Sequence, residues 1–230
     1  LPVELKQGGD VQVAVEFTSN GVDYYTSSKS IYTYVPSPLV VNFRPTKGVV
    51  SGGTVVTLRG LRMRESDGLL CRFGSPKKGV IVHAFHVSDD TITCITPPSM
   101  TSGKKRVNLA ITLNGGGDWY YAPSKFEYTD FVHIESIWPE SGTMRGGTSI
   151  IMHGQGLESF QSVASKCRFG ALVMQATYLN ETTLLCETPR VHAPIRMVLE
   201  LSNNGVDFLD TGFYFSFHKS MFLSSVYPSS

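Results

Sequence analysis

The sequence predicts an all-β chain of tandem two-sheet sandwiches, and three observations carry that prediction. Short runs rich in Val, Ile, Thr, Tyr and Phe alternate apolar with polar residues, as in Thr54-Val55-Val56-Thr57-Leu58 and in Val107 to Leu113. A period of two marks a strand with one buried face. The 22 Gly and 12 Pro are spread along the chain, as expected of short strands joined by tight turns. Finally, one set of landmarks occurs twice in the same order, which is the signature of a repeated module.

Each landmark has a physical reading. The module opens on Phe43-Arg44-Pro45 and again, 94 residues later, on Ile137-Trp138-Pro139. Gly52-Gly53-Thr54 and Gly146-Gly147-Thr148 follow, where the chain must turn tightly into a strand that Gly60 and Gly154 close. Cys71-Arg72-Phe73-Gly74 returns as Cys167-Arg168-Phe169-Gly170, and Cys94-Ile95-Thr96-Pro97 as Cys186-Glu187-Thr188-Pro189, with loop lengths absorbing the drift. Asn114-Gly115 and Asn204-Gly205 favour a primed two-residue turn and predict a hairpin between the last two long strands. Phe126-Glu127-Tyr128 and Phe215-Ser216-Phe217 close the modules. About seven strands in roughly 90 residues fit a two-sheet sandwich.

Two complete modules follow, at 39–129 and 132–218. Residues 1–35 read as the C-terminal third of another, because Val11 to Val15, Asn20-Gly21 and Ile31 to Tyr34 match the end of the repeat. A third of a sandwich leaves unpaired edges and half a core, so this segment is expected to need the rest of its module or another chain. Val226-Tyr227-Pro228 with Ser229-Ser230 repeats the opening landmark, and 222–230 reads as the start of a further module. Thr129-Asp130-Phe131 and Pro36-Ser37-Pro38 are short joints that limit the angles between modules, predicting a semi-rigid rod.

Taken together and in this order, the landmarks resemble the IPT/TIG domain, the immunoglobulin-like fold shared by plexins, scatter-factor receptors and some transcription factors. The resemblance spans nearly the whole chain. It implies an early-set immunoglobulin-like sandwich, and it leaves function open, because such modules serve as receptor stalks, adhesion arrays, accessory domains of carbohydrate-active enzymes and dimerisation domains.

The four cysteines fall two per module at equivalent positions. Of the three connectivities that four cysteines allow, Cys71 with Cys94 and Cys167 with Cys186 is the simplest. Each bridge would close a loop of about 20 residues, stabilising its module by roughly 3 kcal/mol. The alternative is four buried free thiols in a cytosolic sandwich. Asn180-Glu181-Thr182 is a glycosylation sequon in an expected exposed turn, and with evenly paired cysteines it points to the extracellular space or cell surface.

Composition narrows the function further. Twenty Lys and Arg against nineteen Asp and Glu give a net charge of +1, so no global field would hold nucleic acid. No apolar run approaches the ~20 residues of a membrane span, so membrane attachment is expected only through an anchor outside this piece. No hydrolase, nucleotide, zinc-protease or calcium motif occurs, and neither cofactor nor catalysis is expected. His83 and His86 fall three apart in a strand-like run, on opposite faces, which argues against a metal pair. Gly115-Gly116-Gly117 reads as an enlarged hairpin turn, and Lys77-Lys78 and Lys104-Lys105-Arg106 as basic loops. Trp119, Tyr120 and Tyr121 beside that turn are candidate contacts for a protein or sugar, although an aromatic there also belongs to the module's packing pattern.

The expected function is therefore that of a non-enzymatic extracellular array, a spacer and interaction surface in adhesion, recognition or a surface filament. The partner would be another protein or a neighbouring chain, with glycan as a further ligand. Carbohydrate-binding or spacer modules of a larger secreted enzyme, and an intracellular dimerisation scaffold, are the alternatives.

Overall fold

The computed structural model describes residues 9–99, 104–130 and 132–220, with residues 27–29 described by their backbone alone. The expected start of a further module at 222–230 lies outside the described residues.

Among the described residues of the N-terminal segment, β1 (Val11–Phe17) and β2 (Tyr25–Tyr34) form an antiparallel hairpin, and residues 1–8 of the expected partial module lie outside the described residues. The hairpin buries little, for Phe17 is 69% exposed and Val22 77%.

The first complete module holds β3 (Leu39–Arg44), β4 (Lys47–Val49), β5 (Val55–Leu61), β6 (Leu70–Phe73), β7 (Val80–Ser88), β8 (Thr91–Ile95), β9 (Lys105–Thr112) and β10 (Tyr120–Thr129). Their order across the folded ribbon is β3-β5-β8-β7-β6-β9-β10-β4. The second repeats it as β11 (His133–Trp138), β12 (Ser141–Thr143), β13 (Ser149–Gln155), β14 (Lys166–Phe169), β15 (Leu172–Asn180), β16 (Thr183–Glu187), β17 (Ile195–Ser202) and β18 (Leu209–His218), in the order β11-β13-β16-β15-β14-β17-β18-β12.

The hydrophobic-x-Pro landmark is where the first strand changes sheets. Before Pro45 the chain pairs antiparallel with β5, and after it with β10 in parallel. Arg44-Pro45 and Trp138-Pro139 are both cis. β7 makes the opposite crossing, its first half pairing with β6 and its second with β8, as β15 does with β14 and β16. Cys71 on β6 and Cys94 on β8 thus face each other between the layers and are joined, with Cα atoms 6.4 Å apart. Cys167 and Cys186 are joined likewise, at 6.5 Å.

Each core is aromatic at its centre. Fully buried Phe126 lies 6.5 Å from Phe43, 5.6 Å from Phe73 and 5.2 Å from Tyr128, the last two edge to face. Phe215 holds that place in the second module, against Phe169 and Phe217. These are the closing aromatics of the landmark set, whose inward positions on the last strand meet the middle of the sandwich.

Tyr128 is buried with its hydroxyl donating to the Pro97 carbonyl at 2.9 Å, and burial pushes its phenol up to about 12. A folded value above the ~10 of an unfolded tyrosine means that this contribution is complete below pH 10 and is lost as pH rises towards 12. The first module is expected to lose stability across that window, and Tyr128→Phe to flatten the loss, in denaturant midpoints measured against pH.

Candidate functional site

The feature that distinguishes this structure chemically is the joint between the two modules, built from the Asn-Gly turn of the second. That turn is not the two-residue primed turn expected from the dipeptide. Strand pairing ends at Leu201 with Leu209, and the connection between them is held by the asparagine side chain. Asn204 Oδ1 accepts from the backbone N–H groups of Val206 and Asp207 at 2.9 Å, and its Nδ2 donates to Asp207 Oδ2 at 2.8 Å. Gly205 supplies the positive φ of 76°, while Asn204 does not adopt the positive φ that a type I′ turn requires.

The same device occurs in all three Asn-Gly hairpins. Asn20 donates to Asp23 at 2.7 Å and Asn114 to Asp118 at 2.9 Å, each with a threonine hydroxyl two residues earlier donating to the asparagine Oδ1. Ser202 fills the threonine position in the third copy. The triple glycine 115–117 is one such turn lengthened by one residue, with Asp118 N–H still donating to Asn114 Oδ1.

Of the three Asn-Gly turns, only the third meets another module among the described residues. Thr54 Oγ1 donates to Asp207 Oδ2 at 2.6 Å, and Asn204 Nδ2 donates to the Lys47 carbonyl at 3.0 Å. Asn203 Nδ2 donates to Thr129 Oγ1 at 3.0 Å and to Ser159 Oγ at 3.1 Å, and Lys47 Nζ donates to the Ser159 carbonyl at 3.2 Å. Thr54 and Thr129 are fully buried, and Asn203 and Asn204 nearly so. Polar groups withdrawn from water in this way are mutually satisfied, which makes the contact directional.

Gly48 explains how Thr54 reaches the joint. A Cβ on Gly48 would fall inside contact distance of both Thr54 Oγ1 and Phe126 Cζ, so only glycine leaves that hydroxyl free to point at Asp207. Beside the joint lies a cleft of about 700 Å³ whose walls include Arg44, Lys47 and Arg59 from one module and Asn203, Asn204 and Val206 from the other.

The aromatic candidates separate. Tyr120 packs against the core of its module. Trp119 covers Arg72, whose guanidinium carbon sits 4.1 Å from the indole centre, and Arg72 Nη2 donates to the Tyr121 hydroxyl at 2.8 Å. In the second module Arg168 stacks on Phe208 at 4.0 Å and is held by Glu200 through two bonds of 2.6 and 2.7 Å. Ala110 stands opposite Arg72 where Glu200 stands opposite Arg168, so Arg72 is 5% exposed with its Nε lacking a hydrogen-bond partner among the described residues.

Asn180 is exposed at the end of β15, and the Thr182 hydroxyl donates to its Oδ1 at 3.0 Å. In the basic loop, Lys104 and Arg106 lie 3.4 and 2.7 Å from Glu127. Burial alone would raise the Glu127 carboxyl, but Arg106, Lys104 and Lys47 together hold it below the ordinary carboxylate range. His83 is exposed and His86 half-buried on alternate sides of β7, and among the described residues no group of three His, Cys, Asp or Glu could hold a metal. No helix among them is long and apolar enough to cross a membrane.

The repeat seen in the chain has counterparts elsewhere. The profile of the IPT/TIG domain matches residues 38–128 and 133–217. Plexin-A2 of Mus musculus is 26% identical over 203 residues, covering 87% of this chain and 10% of its own length. Fibrocystin-L of Mus musculus is 28% identical over 165 residues, covering 67% of this chain and 4% of its own. This chain thus spans about a tenth or less of these relatives. A solved structure of the Plexin A4 full extracellular region, domains 1 to 10, superposes with a TM-score of 0.52 at 21% identity, covering 91% of this chain and 19% of that one.

Proposed function

This chain belongs to the IPT/TIG domain family and lies outside the cell, and on that premise we propose that it is a semi-rigid spacer presenting its loops for adhesion or recognition. The observation that supports this best is the buried polar joint. A three-residue linker restricts reach but leaves torsional freedom, whereas four hydrogen bonds between the modules, made by the 203–207 turn and Lys47, set one relative orientation. Such a rod does its work by presentation, since loops held at a constant angle and distance lose less freedom on binding.

The partner in this reading is another protein, met through exposed Tyr121 and the half-buried Trp119 beside it. These large rings are already ordered by Arg72, which suits a contact that must fix few side chains. The relatives contribute context here, since one of them is a plexin extracellular region.

The joint is the place to test the spacer. Thr54→Val keeps the shape but leaves Asp207 without its donor from the other module, which costs roughly 1–3 kcal/mol of coupling. Small-angle scattering and inter-module dipolar couplings are expected to show a broadened range of angles, with both modules still folded. Unchanged couplings would remove the rigid-spacer reading.

A further inference from the structure

The socket that receives the 203–207 turn is built twice, and only one copy is filled among the described residues. In the first module it consists of Lys47-Gly48, the Gly52-Gly53-Thr54 turn and the end of β10. In the second, Ser141-Gly142, Gly146-Gly147-Thr148 and the end of β18 repeat its backbone bonds and its threonine-to-threonine bond. Thr54 N–H donates to Thr96 Oγ1 as Thr148 N–H does to Thr188 Oγ1. Gly53 N–H donates to the Thr96 carbonyl as Gly147 N–H does to that of Thr188. Val50 N–H donates to the Thr129 carbonyl as Met144 N–H does to that of His218. A Cβ on Gly142 would meet Thr148 Oγ1 and Phe215 Cζ just as one on Gly48 would meet Thr54 and Phe126.

The difference lies in what covers them. Thr54 is fully buried beneath Asp207, while Thr148 is half-exposed. Evidently the arrangement that aims a hydroxyl out of the module end is maintained in both, including the glycine that gives up a side chain to allow it.

We infer that the Thr148 socket binds the asparagine-glycine-aspartate turn of a following module in the same chain, with Thr148 Oγ1 donating to that aspartate. Two observations favour this occupant over any other. The turn is the piece that fills the first socket, and it keeps its asparagine-to-aspartate bond in all three hairpins, so docking does not create its shape. The distance along the chain is also conserved: Ile137 follows Thr129 by eight residues, and Val226, in the repeated opening landmark, follows His218 by eight. The end of the first module that bears Asn114 already touches the N-terminal hairpin, through Arg64 and Asp10 at 2.7 Å.

The sockets are not identical in chemistry. Ser141 replaces Lys47 and His218 replaces Thr129, so the second joint lacks the lysine contact and offers an imidazole to the residue before the incoming asparagine.

The inference rests on the spacer reading, and the test separates the two. The natural chain lengthened through its next module is compared as wild type, Thr54→Val and Thr148→Val, with limited proteolysis read within 130–132 and 219–225. When opening is faster than cleavage, the rate follows the open population, and loss of one hydrogen bond to a carboxylate raises it roughly tenfold. Thr148→Val is expected to raise cleavage about tenfold at 219–225 alone, and Thr54→Val to do so at 130–132 alone. If Thr54→Val acts and Thr148→Val leaves 219–225 unchanged, the second socket is not a docking site. If neither acts, the spacer reading fails as well. Thr148→Ser, which keeps the hydroxyl, is expected to cleave as wild type, and cleavage raised equally by Thr148→Ser would assign the effect to lost packing and overturn the inference.

Discussion

Phe126→Ala is expected to destabilise the first complete module by about 3–5 kcal/mol and to leave the second nearly unchanged. Phe126 is fully buried, ringed by Phe43, Phe73 and Tyr128, and it backs onto Gly48. Strands from both layers hold those neighbours, so neither sheet can close over the space that the ring vacates. The cost is then transfer free energy plus an unfilled cavity. At roughly 4 °C or more per kcal/mol for a domain of this size, calorimetry should show the first module's transition fall by at least about 12 °C. A shift under about 3 °C would mean that the module collapses around the loss.

The second large effect concerns the cross-layer bridges. Cys71 and Cys94 are separated by 23 positions and Cys167 and Cys186 by 19, and constraining loops of that size in the unfolded chain is worth about 3 kcal/mol. Replacing Cys71 and Cys94 together with Ala is expected to lower the urea stability of the first module by about that amount. All four sulfurs are buried, so reductant should act slowly on the folded chain and quickly once a module opens. Equal midpoints for the variant and the parent would show that the bridge contributes no net stability.

Much of this is legible in the sequence. The alternation through Thr54 to Leu58 identified β5 because one face of a sandwich strand is always buried. Repetition of Cys-Arg-Phe-Gly located β6 and β14, since local sequence sets where each strand begins. Asn114-Gly115 and Asn204-Gly205 marked the correct hairpins but suggested the wrong turn. Dipeptide preference reflects backbone φ alone, and here the asparagine side chain and an aspartate three or four residues on take over the hydrogen bonding. A signal for this was present, because Ser or Thr precedes each Asn-Gly by two residues and Asp follows it in every copy. The arginine of Cys-Arg-Phe-Gly was likewise visible as a repeated residue between two inward-facing ones, but its partners were not.

The sequence by itself determined the fold class, the repeated order of landmarks and the equivalent cysteine positions, because these follow from periodicity and repetition within about 100 residues. Only the tertiary structure decided the joint. Thr54 and Asp207 are 153 positions apart and Asn204 and Lys47 are 157 apart, and nothing in either local pattern requires them to meet. Their pairing depends on how one module end seats against the next, a property of two folded surfaces. The same holds for Arg72, whose burial without a carboxylate arises because Ala110, on a strand nearly forty residues away, occupies the place that Glu200 takes beside Arg168.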